Sequence, residues 1–200
     1  MNRTTPPHAL LILGLATALT ACSTPEADDD DDHSDDSGAM AADDGPLAGW
    51  QASSGELELY DLIIAYREAN GLGSIPYSPS LSLVARTHAA DLTREEPDAP
   101  EQCNLHSWSD AGDWTPCCYT SDHAEAECMW DKPRELEVYR DDGFEISHNS
   151  GTSDADPAQA LAGWQSSPGH DAVIMNRDGW ARMEWQAMGV GIDHAHANVW

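Results

Sequence analysis

Apolar residues recur at helical spacing in two early segments of the chain. The first segment follows Ser54-Gly55-Glu56 and runs to Gly71, and the second starts at Ser78-Pro79. Serine is a favoured N-cap residue, and proline is tolerated in the first turn of a helix. The spacing therefore predicts two amphipathic helices. The inner face of the second is predicted to hold six residues, which are Leu81, Val84, Ala85, His88, Ala89 and Leu92.

Further helices are predicted in the second half of the chain. Asp122 is placed to cap a short helix from Ala124 to Trp130, and Pro133 to begin another that reaches Tyr139. Asp156-Pro157 begins a longer helical pattern that runs to Pro168-Gly169. Because Pro-Gly cannot extend a helix, we expect a turn there, with His170 fixed beside the end of the helix.

Alternating apolar and polar residues predict a small sheet. The pattern occurs at residues 144–147, 183–185, 188–192 and 197–200. Helices combined with a small antiparallel sheet predict an α+β sandwich. The stretch from Trp50 to Trp200 has about 150 residues, the usual size of one domain with its own core.

The N-terminus has the features of an export signal. A positive charge at Arg3 precedes an apolar run from Ala9 to Ala21, which is shorter than the roughly 20 residues of a membrane span. Residues 19–22, Leu-Thr-Ala-Cys, resemble the bacterial lipobox, which implies cleavage before Cys22 and lipidation of that residue. An ordinary signal peptide with an incidental cysteine is the alternative. An Asp directly after the lipidated cysteine is the usual signal for retention at the inner membrane. Ser23 occupies that position instead, which favours the outer membrane or cell surface.

Acidic residues dominate the composition. The chain has 9 basic and 36 acidic residues, and five successive aspartates occupy positions 28–32. Such a run repels itself and predicts an extended tether, with a Ca²⁺ site as the alternative. Residues 45–200 alone carry 8 basic and 26 acidic residues, a net charge of −18. This balance excludes nucleic acid as a partner and makes any membrane attachment depend on the lipid. The predicted organisation is a signal peptide (1–21), a lipidated cysteine with its tether (22–49) and one domain (50–200).

Four cysteines remain for the domain, and they fall in one short stretch. They are Cys103, Cys117, Cys118 and Cys128. In an exported domain such an even set predicts two disulfides. Adjacent Cys117 and Cys118 do not easily pair with each other, so Cys103 and Cys128 are their expected partners, in either order. A zinc site is the alternative use of these thiols.

Six motifs, in order, resemble the CAP superfamily, the cysteine-rich secretory, antigen 5 and pathogenesis-related 1 proteins with SCP-like domains. The resemblance covers most of residues 56–200 and implies an α-β-α sandwich, here with a cysteine-rich insertion at about 103–140. The motifs are Ala-Tyr-Arg-Glu-Ala-Asn-Gly-Leu (65–72), the second helix (81–92), Asn-Leu-His-Ser (104–107), Gly-Phe-Glu-Ile (143–146), Trp-Gln-Ser-Ser-Pro-Gly-His (164–170) and Met-Gly-Val-Gly-Ile (188–192).

The resemblance implies a cleft with two histidines and two acids. His106, Glu145 and His170 match three of these positions, whereas residues 165–167 offer no acid for the fourth. Two imidazoles and a carboxylate are suitable ligands for a divalent metal such as Zn²⁺. Glu145 could bind the metal, accept a hydrogen bond from a ligand histidine, or act as a general base. These groups could also simply hydrogen-bond one another and brace the helix end.

Family resemblance implies a non-catalytic binding module at the cell envelope, with a small-molecule, lipid, glycan or protein ligand. The alternative is a peptidase-like, metal-dependent hydrolase with His106 and His170 as metal ligands and Glu145 as general base. The sequence shows no nucleophile with a base placed to activate it. Ser107 is adjacent to His106, but adjacent residues rarely face one another. Binding is therefore favoured over catalysis.

Overall fold

The computed structural model describes residues 47–151 and 154–200. Within these ranges the chain forms five α-helices and a three-stranded antiparallel sheet, so the predicted α+β class is confirmed. The predicted signal peptide, Cys22 and most of the tether lie outside them. The elements are α1 (Ser54–Ala69), α2 (Pro79–Glu95), α3 (Ala126–Glu135), β1 (Ile146–Asn149), α4 (Pro157–Ser166), α5 (Pro168–Ile174), a 3₁₀ turn (Asp178–Trp180), β2 (Val190–Asp193) and β3 (His196–Val199).

The sheet lies between two helical layers. Its strand order is β1-β3-β2, and β3 pairs antiparallel with both neighbours. One face packs on α1 and α4 through a core that includes Leu59, Ile63 and Trp164. The other face packs on α2, where a second core reaches into the cysteine-rich insertion through Trp108 and Trp200. No helix in the described ranges has the length and apolar character needed to cross a membrane.

Two glycines let β2 approach α2 closely. A Cβ at Gly189 would overlap the backbone of Leu81 and Ser82, and one at Gly191 would overlap the backbone of Ala85 and Arg86. Val190, between them, is fully buried in the opposite core, as the alternation of side chains along a strand requires. The Gly-Val-Gly sequence therefore allows strand and helix to pack at backbone contact.

Both predicted N-terminal helices form where the pattern placed them. Ser53 caps α1 in a reciprocal arrangement, since the Glu56 amide donates to Ser53 Oγ (3.2 Å) and the Ser53 amide donates to Glu56 Oε2 (2.7 Å). The Ser78 hydroxyl caps α2 by accepting from the Leu81 amide (3.2 Å). All six predicted inner-face residues of α2 are buried, which confirms that face.

The prediction of two short helices after Asp122 is wrong. One helix, α3, spans Ala126–Glu135, and Pro133 lies inside its last turn. At this position the missing proline N–H removes only one hydrogen bond near the helix end, so the helix continues. Asp122 instead stabilises the preceding turn by accepting from the Ala124 amide (3.1 Å).

Pro168-Gly169 begins a helix as well as ending one. The helix α4 stops at Ser166 as predicted, but Pro168 is the first residue of α5. The fixed φ of proline suits the first helical position, where its missing N–H has no partner to lose. His170 therefore lies in the first turn of α5, rather than in the turn that the sequence predicted.

The strand predictions hold for three of the four segments. The segment at 183–185 is wrong, because no strand pairs with it and Trp185 instead packs against Phe144 and Trp180, with ring centroids 5.8 and 5.5 Å apart. Aromatic packing there replaces backbone pairing. The strand β1 also begins at Ile146, two residues later than predicted.

Two disulfides tie the insertion together. Cys103 pairs with Cys118, and Cys117 pairs with Cys128. The adjacent cysteines therefore take different partners, as expected, and the pairing order that the sequence left open is settled. Backbone hydrogen bonds between Trp108 and Cys117 (2.9 and 3.0 Å) add a short bridge inside the insertion.

Candidate functional site

A buried histidine lies at the centre of the candidate site. His88, on the inner face of α2, is 0% exposed and stacks on Trp108 with ring centroids 4.2 Å apart. Its Nδ1 lies 2.5 Å from Glu145 Oε1, and its Nε2 lies 2.8 Å from the Ser107 carbonyl oxygen. Because a carboxylate and a carbonyl only accept hydrogen bonds, both ring nitrogens of His88 face acceptors.

Glu145 gathers three donors around one carboxylate. Its Oε1 accepts from His88 and from the indole N–H of Trp200 (3.0 Å), and its Oε2 accepts from His106 Nδ1 (2.8 Å). The side chain is completely buried. Three of its roughly four lone-pair directions are therefore occupied by protein donors.

Electrostatics keep Glu145 ionised despite its burial. Burial alone would raise the pKa of this carboxyl group. The charges of His88 and His106 and their hydrogen bonds outweigh that effect and lower the pKa of Glu145 to about 2. At neutral pH the centre of the site is thus a carboxylate between two histidine rings.

A short folded segment positions His106. The His106 amide donates to the Asn104 side chain (3.0 Å), and the buried Ser107 hydroxyl accepts from the Tyr119 amide (2.9 Å). The His106 side chain is 19% exposed. In the uncharged form of the ring, Nδ1 donates to Glu145 and the lone pair is on Nε2, away from the carboxylate.

Two more imidazoles, those of His148 and His170, belong to the same region, where His170 is close enough to His106 and His148 for their charges to affect its pKa. Burial lowers the pKa of His170, and the neighbouring charges of His106 and His148 lower it further. Burial also lowers the pKa of His148, whose ring meets the edge of Trp164 at 6.2 Å. Among the described residues, neither His148 nor His170 has a hydrogen-bond partner for its ring. Both rings are therefore uncharged bases at neutral pH, with nitrogen lone pairs available to a ligand.

The predicted metal set of His106, His170 and Glu145 stays a prediction. Over residues 47–151 and 154–200, no group of three or more His, Cys, Asp or Glu side chains is placed to hold a metal ion. The oxygens of Glu145 accept hydrogen bonds from His88, His106 and Trp200.

Sequence reasoning missed two members of the site. His88 was assigned to helix packing, although a fully buried imidazole needs hydrogen-bond partners, and this requirement was the available signal. Trp200, at the end of the last strand pattern, gave no local signal for its contact with Glu145. Both residues meet the carboxylate only through the packing of α2 and β3 around it.

A family model for the cysteine-rich secretory protein family (CAP) matches residues 60–192, which is more than half of the chain. The chain belongs to the CAP family. The match spans α2, the insertion and the polar cluster, which consists of His88, His106 and Glu145. A search of curated proteins found no match to this CAP chain.

Solved structures of bacterial proteins are similar to this CAP chain. An extracellular protein containing an SCP domain from Bacillus anthracis is 18% identical (TM-score 0.47) and is matched over 72% of this chain and 39% of its own. An outer surface protein from Borrelia burgdorferi is 14% identical (TM-score 0.47), over 74% of this chain and 92% of its own. A cysteine-rich secretory protein from Staphylococcus aureus is 12% identical (TM-score 0.44), over 72% of this chain and 36% of its own. This chain therefore spans well under half the length of the Bacillus and Staphylococcus chains.

Proposed function

We propose that this CAP protein is an exported, lipid-anchored, non-catalytic binding module of the bacterial cell envelope, and that its histidine cleft binds a divalent transition metal such as Zn²⁺. The histidine cleft is defined by His106, His148 and His170. The observation that carries the proposal is the hydrogen bond from His106 Nδ1 to Glu145 (2.8 Å). It fixes the ring so that the lone pair of Nε2 is available to a ligand.

This arrangement supports metal binding through the imidazoles. Metal-ligating histidines commonly donate their second ring N–H to a carboxylate, which fixes the tautomer and makes the ring a better ligand. Glu145 supplies that carboxylate to His106. His170 and His148 add uncharged rings without competing hydrogen bonds in the described part of the chain. Zinc accepts nitrogen ligands and would keep positions for water or for a bound partner.

The same contacts argue against hydrolysis. A general base works best with a pKa near the working pH, but the pKa of Glu145 is lowered to about 2. Its oxygens are already held by two histidines and a tryptophan. The hydroxyl of Ser107, next to His106 in the sequence, is buried and engaged with the Tyr119 amide. The cluster therefore supports a rigid binding surface better than a reacting centre.

A titration of the full chain with Zn²⁺ tests the metal site. We expect His106→Ala and His170→Ala each to weaken binding at least about tenfold, since each removes a ligand. His194→Ala, an exposed histidine in the turn between β2 and β3, is the matched control and should bind like the wild type. Aspartates 28–32 can also attract Zn²⁺, so only the difference between variants counts. Equal binding by all four proteins would rule out the site.

Export and lipid anchoring rest on the lipobox resemblance around Cys22, and the paired disulfides are typical of an oxidising compartment. Mass spectrometry of the N-terminal peptide tests this part of the proposal. The expected peptide begins at Cys22 and carries the added mass of a diacylglycerol and an acyl chain. An unmodified peptide, or one cleaved elsewhere, would contradict lipid anchoring.

A further inference from the structure

A cavity adjoins Trp200, whose indole N–H donates to Glu145 in the polar cluster. Its volume is about 250 Å³, and its lining includes Phe144, Trp185, Trp200, Met188 and Ile174. We call it the aromatic pocket. A buried apolar cavity of about 150 Å³ already holds a benzene molecule, so this pocket has room for an apolar group of one to two fused rings.

Aromatic rings form the entrance of the aromatic pocket. Phe144 and Trp185 are partly exposed, and their ring centroids lie 5.8 Å apart. Trp180 packs against both, at 5.3 Å from Phe144 and 5.5 Å from Trp185. Faces of such rings attract cations as well as apolar groups.

Carboxylates line the outer part of the same pocket. Asp141, Asp142 and Glu184 belong to its lining, and all three are exposed. Asp142 forms an ion pair with Arg134. Asp141 and Glu184 have no ion-pair partner among the described residues. The entrance therefore carries two carboxylates without an ion-pair partner in the described part of the chain, and residues 45–200 have a net charge of −18.

One cation, Arg67, also belongs to the lining. It is buried, and two of its three guanidinium nitrogens are bonded to the wall, because Nε donates to the Gly73 carbonyl (3.1 Å) and Nη1 donates to Asn176 Oδ1 (2.8 Å) and to the carbonyl oxygen of Ile174. Ile174 is the last residue of α5, where free carbonyls favour a positive charge. These contacts tie Arg67 to the scaffold, whereas the two carboxylates at the entrance face the solvent from which a ligand arrives.

We propose that the aromatic pocket binds a small organic amine whose apolar body lies among the aromatic rings and whose ammonium group lies between Asp141 and Glu184. This inference goes beyond the proposed metal site and uses different residues. The apolar body gains from burial against the rings, and the ammonium group gains from the carboxylates and from the ring faces. An anionic ligand of the same shape meets repulsion at the entrance.

Three probes that share a naphthyl body and differ in charge test the charge preference. They are 2-naphthylmethylamine, 2-naphthylmethanol and the carboxylate of 2-naphthaleneacetic acid. Each is titrated into the full chain by calorimetry at neutral pH with EDTA present. We expect the amine to bind about tenfold more tightly than the carboxylate, with the alcohol between them. The preference should shrink as salt is added. Tightest binding by the carboxylate would overturn the proposal and assign the charge preference to Arg67.

Variants then locate the binding. The double variant Asp141→Asn, Glu184→Gln should bring the amine down to the affinity of the alcohol. The matched control, Glu58→Gln with Asp61→Asn, changes charge equally on the outer face of α1 and should leave all three affinities unchanged.

Filling the cavity with Ala187→Phe should abolish binding of every probe. If that variant fails to fold, the exposed double variant still decides the question. Binding by no probe, or binding unchanged in the double variant, would overturn the proposal. Because EDTA removes metal, neither result bears on the histidine cleft.

Discussion

Replacing Glu145 by Gln perturbs the centre of the polar cluster while keeping its shape. The amide can still accept from one donor, but the negative charge facing His88 is lost. His88 is 0% exposed and its second nitrogen is already bound to the Ser107 carbonyl. The substitution therefore leaves a fully buried histidine ring without the anionic acceptor that its Nδ1 faces.

Two estimates of the cost agree. The pKa of Glu145 falls from its ordinary value of 4.5 to about 2, which at about 1.4 kcal/mol per tenfold change corresponds to about 3 kcal/mol. Removing one partner of a buried ion pair costs about 3–5 kcal/mol in measured cases. We therefore expect Glu145→Gln to lower the free energy of unfolding by about 3 kcal/mol.

Urea unfolding of the full chain, followed by circular dichroism, measures this loss. Glu184→Gln is the matched control, because this exposed carboxylate has no ion-pair partner among the described residues; it should cost less than about 0.5 kcal/mol. A double-mutant cycle with His88→Asn should give a coupling energy of at least about 2 kcal/mol. A loss below about 1 kcal/mol for Glu145→Gln, or a coupling near zero, would refute the buried ion pair.

Three further predictions follow from the same structure. Gly191→Ala should destabilise the fold by more than about 3 kcal/mol in urea unfolding, because its Cβ would overlap the backbone of α2, whereas Gly179→Ala, which faces open space, should change stability little; equal effects would contradict the close packing. Since the folded-state pKa of Glu145 lies below its unfolded value, the stability that Glu145 contributes, measured as the difference between the wild type and Glu145→Gln, should be constant above about pH 5 and be lost between about pH 4.5 and 2, and a difference that stays constant over that range in acid unfolding would count against it. Replacing the Cys103–Cys118 pair by serines should lower the free energy of unfolding by about 2–4 kcal/mol, and an unchanged midpoint in urea would show that this disulfide does not stabilise the fold.

Local patterns predicted the elements well where one physical signal dominated. The cap at Ser78 and the inner face of α2 follow from side-chain hydrogen bonding and helical spacing, which act within a few residues. The prediction of a turn at Pro168 was wrong because proline can end one helix and also begin the next. The local sequence does not show whether a second helix follows. The segment at residues 183–185 alternates apolar and polar residues like a strand, but it has no partner strand in the sheet.

The site itself was only partly predictable. Family resemblance brought His106 and Glu145 together, although 39 residues separate them and no local pattern links them. The roles of His88 and Trp200 were not predicted because they depend on the packing of α2 against β3 around one carboxylate. The sequence left three roles open for Glu145, and these roles stay predictions.

The state of the His106 ring tests the central claim most directly. Long-range ¹H–¹⁵N spectra of the labelled full chain report which ring nitrogen carries the proton. We predict a protonated Nδ1 and a bare Nε2 on His106, both nitrogens protonated on His88, and a shift of the His106 Nε2 signal together with that of His170 when Zn²⁺ is added. A proton on His106 Nε2, or signals that Zn²⁺ leaves in place, would contradict the account.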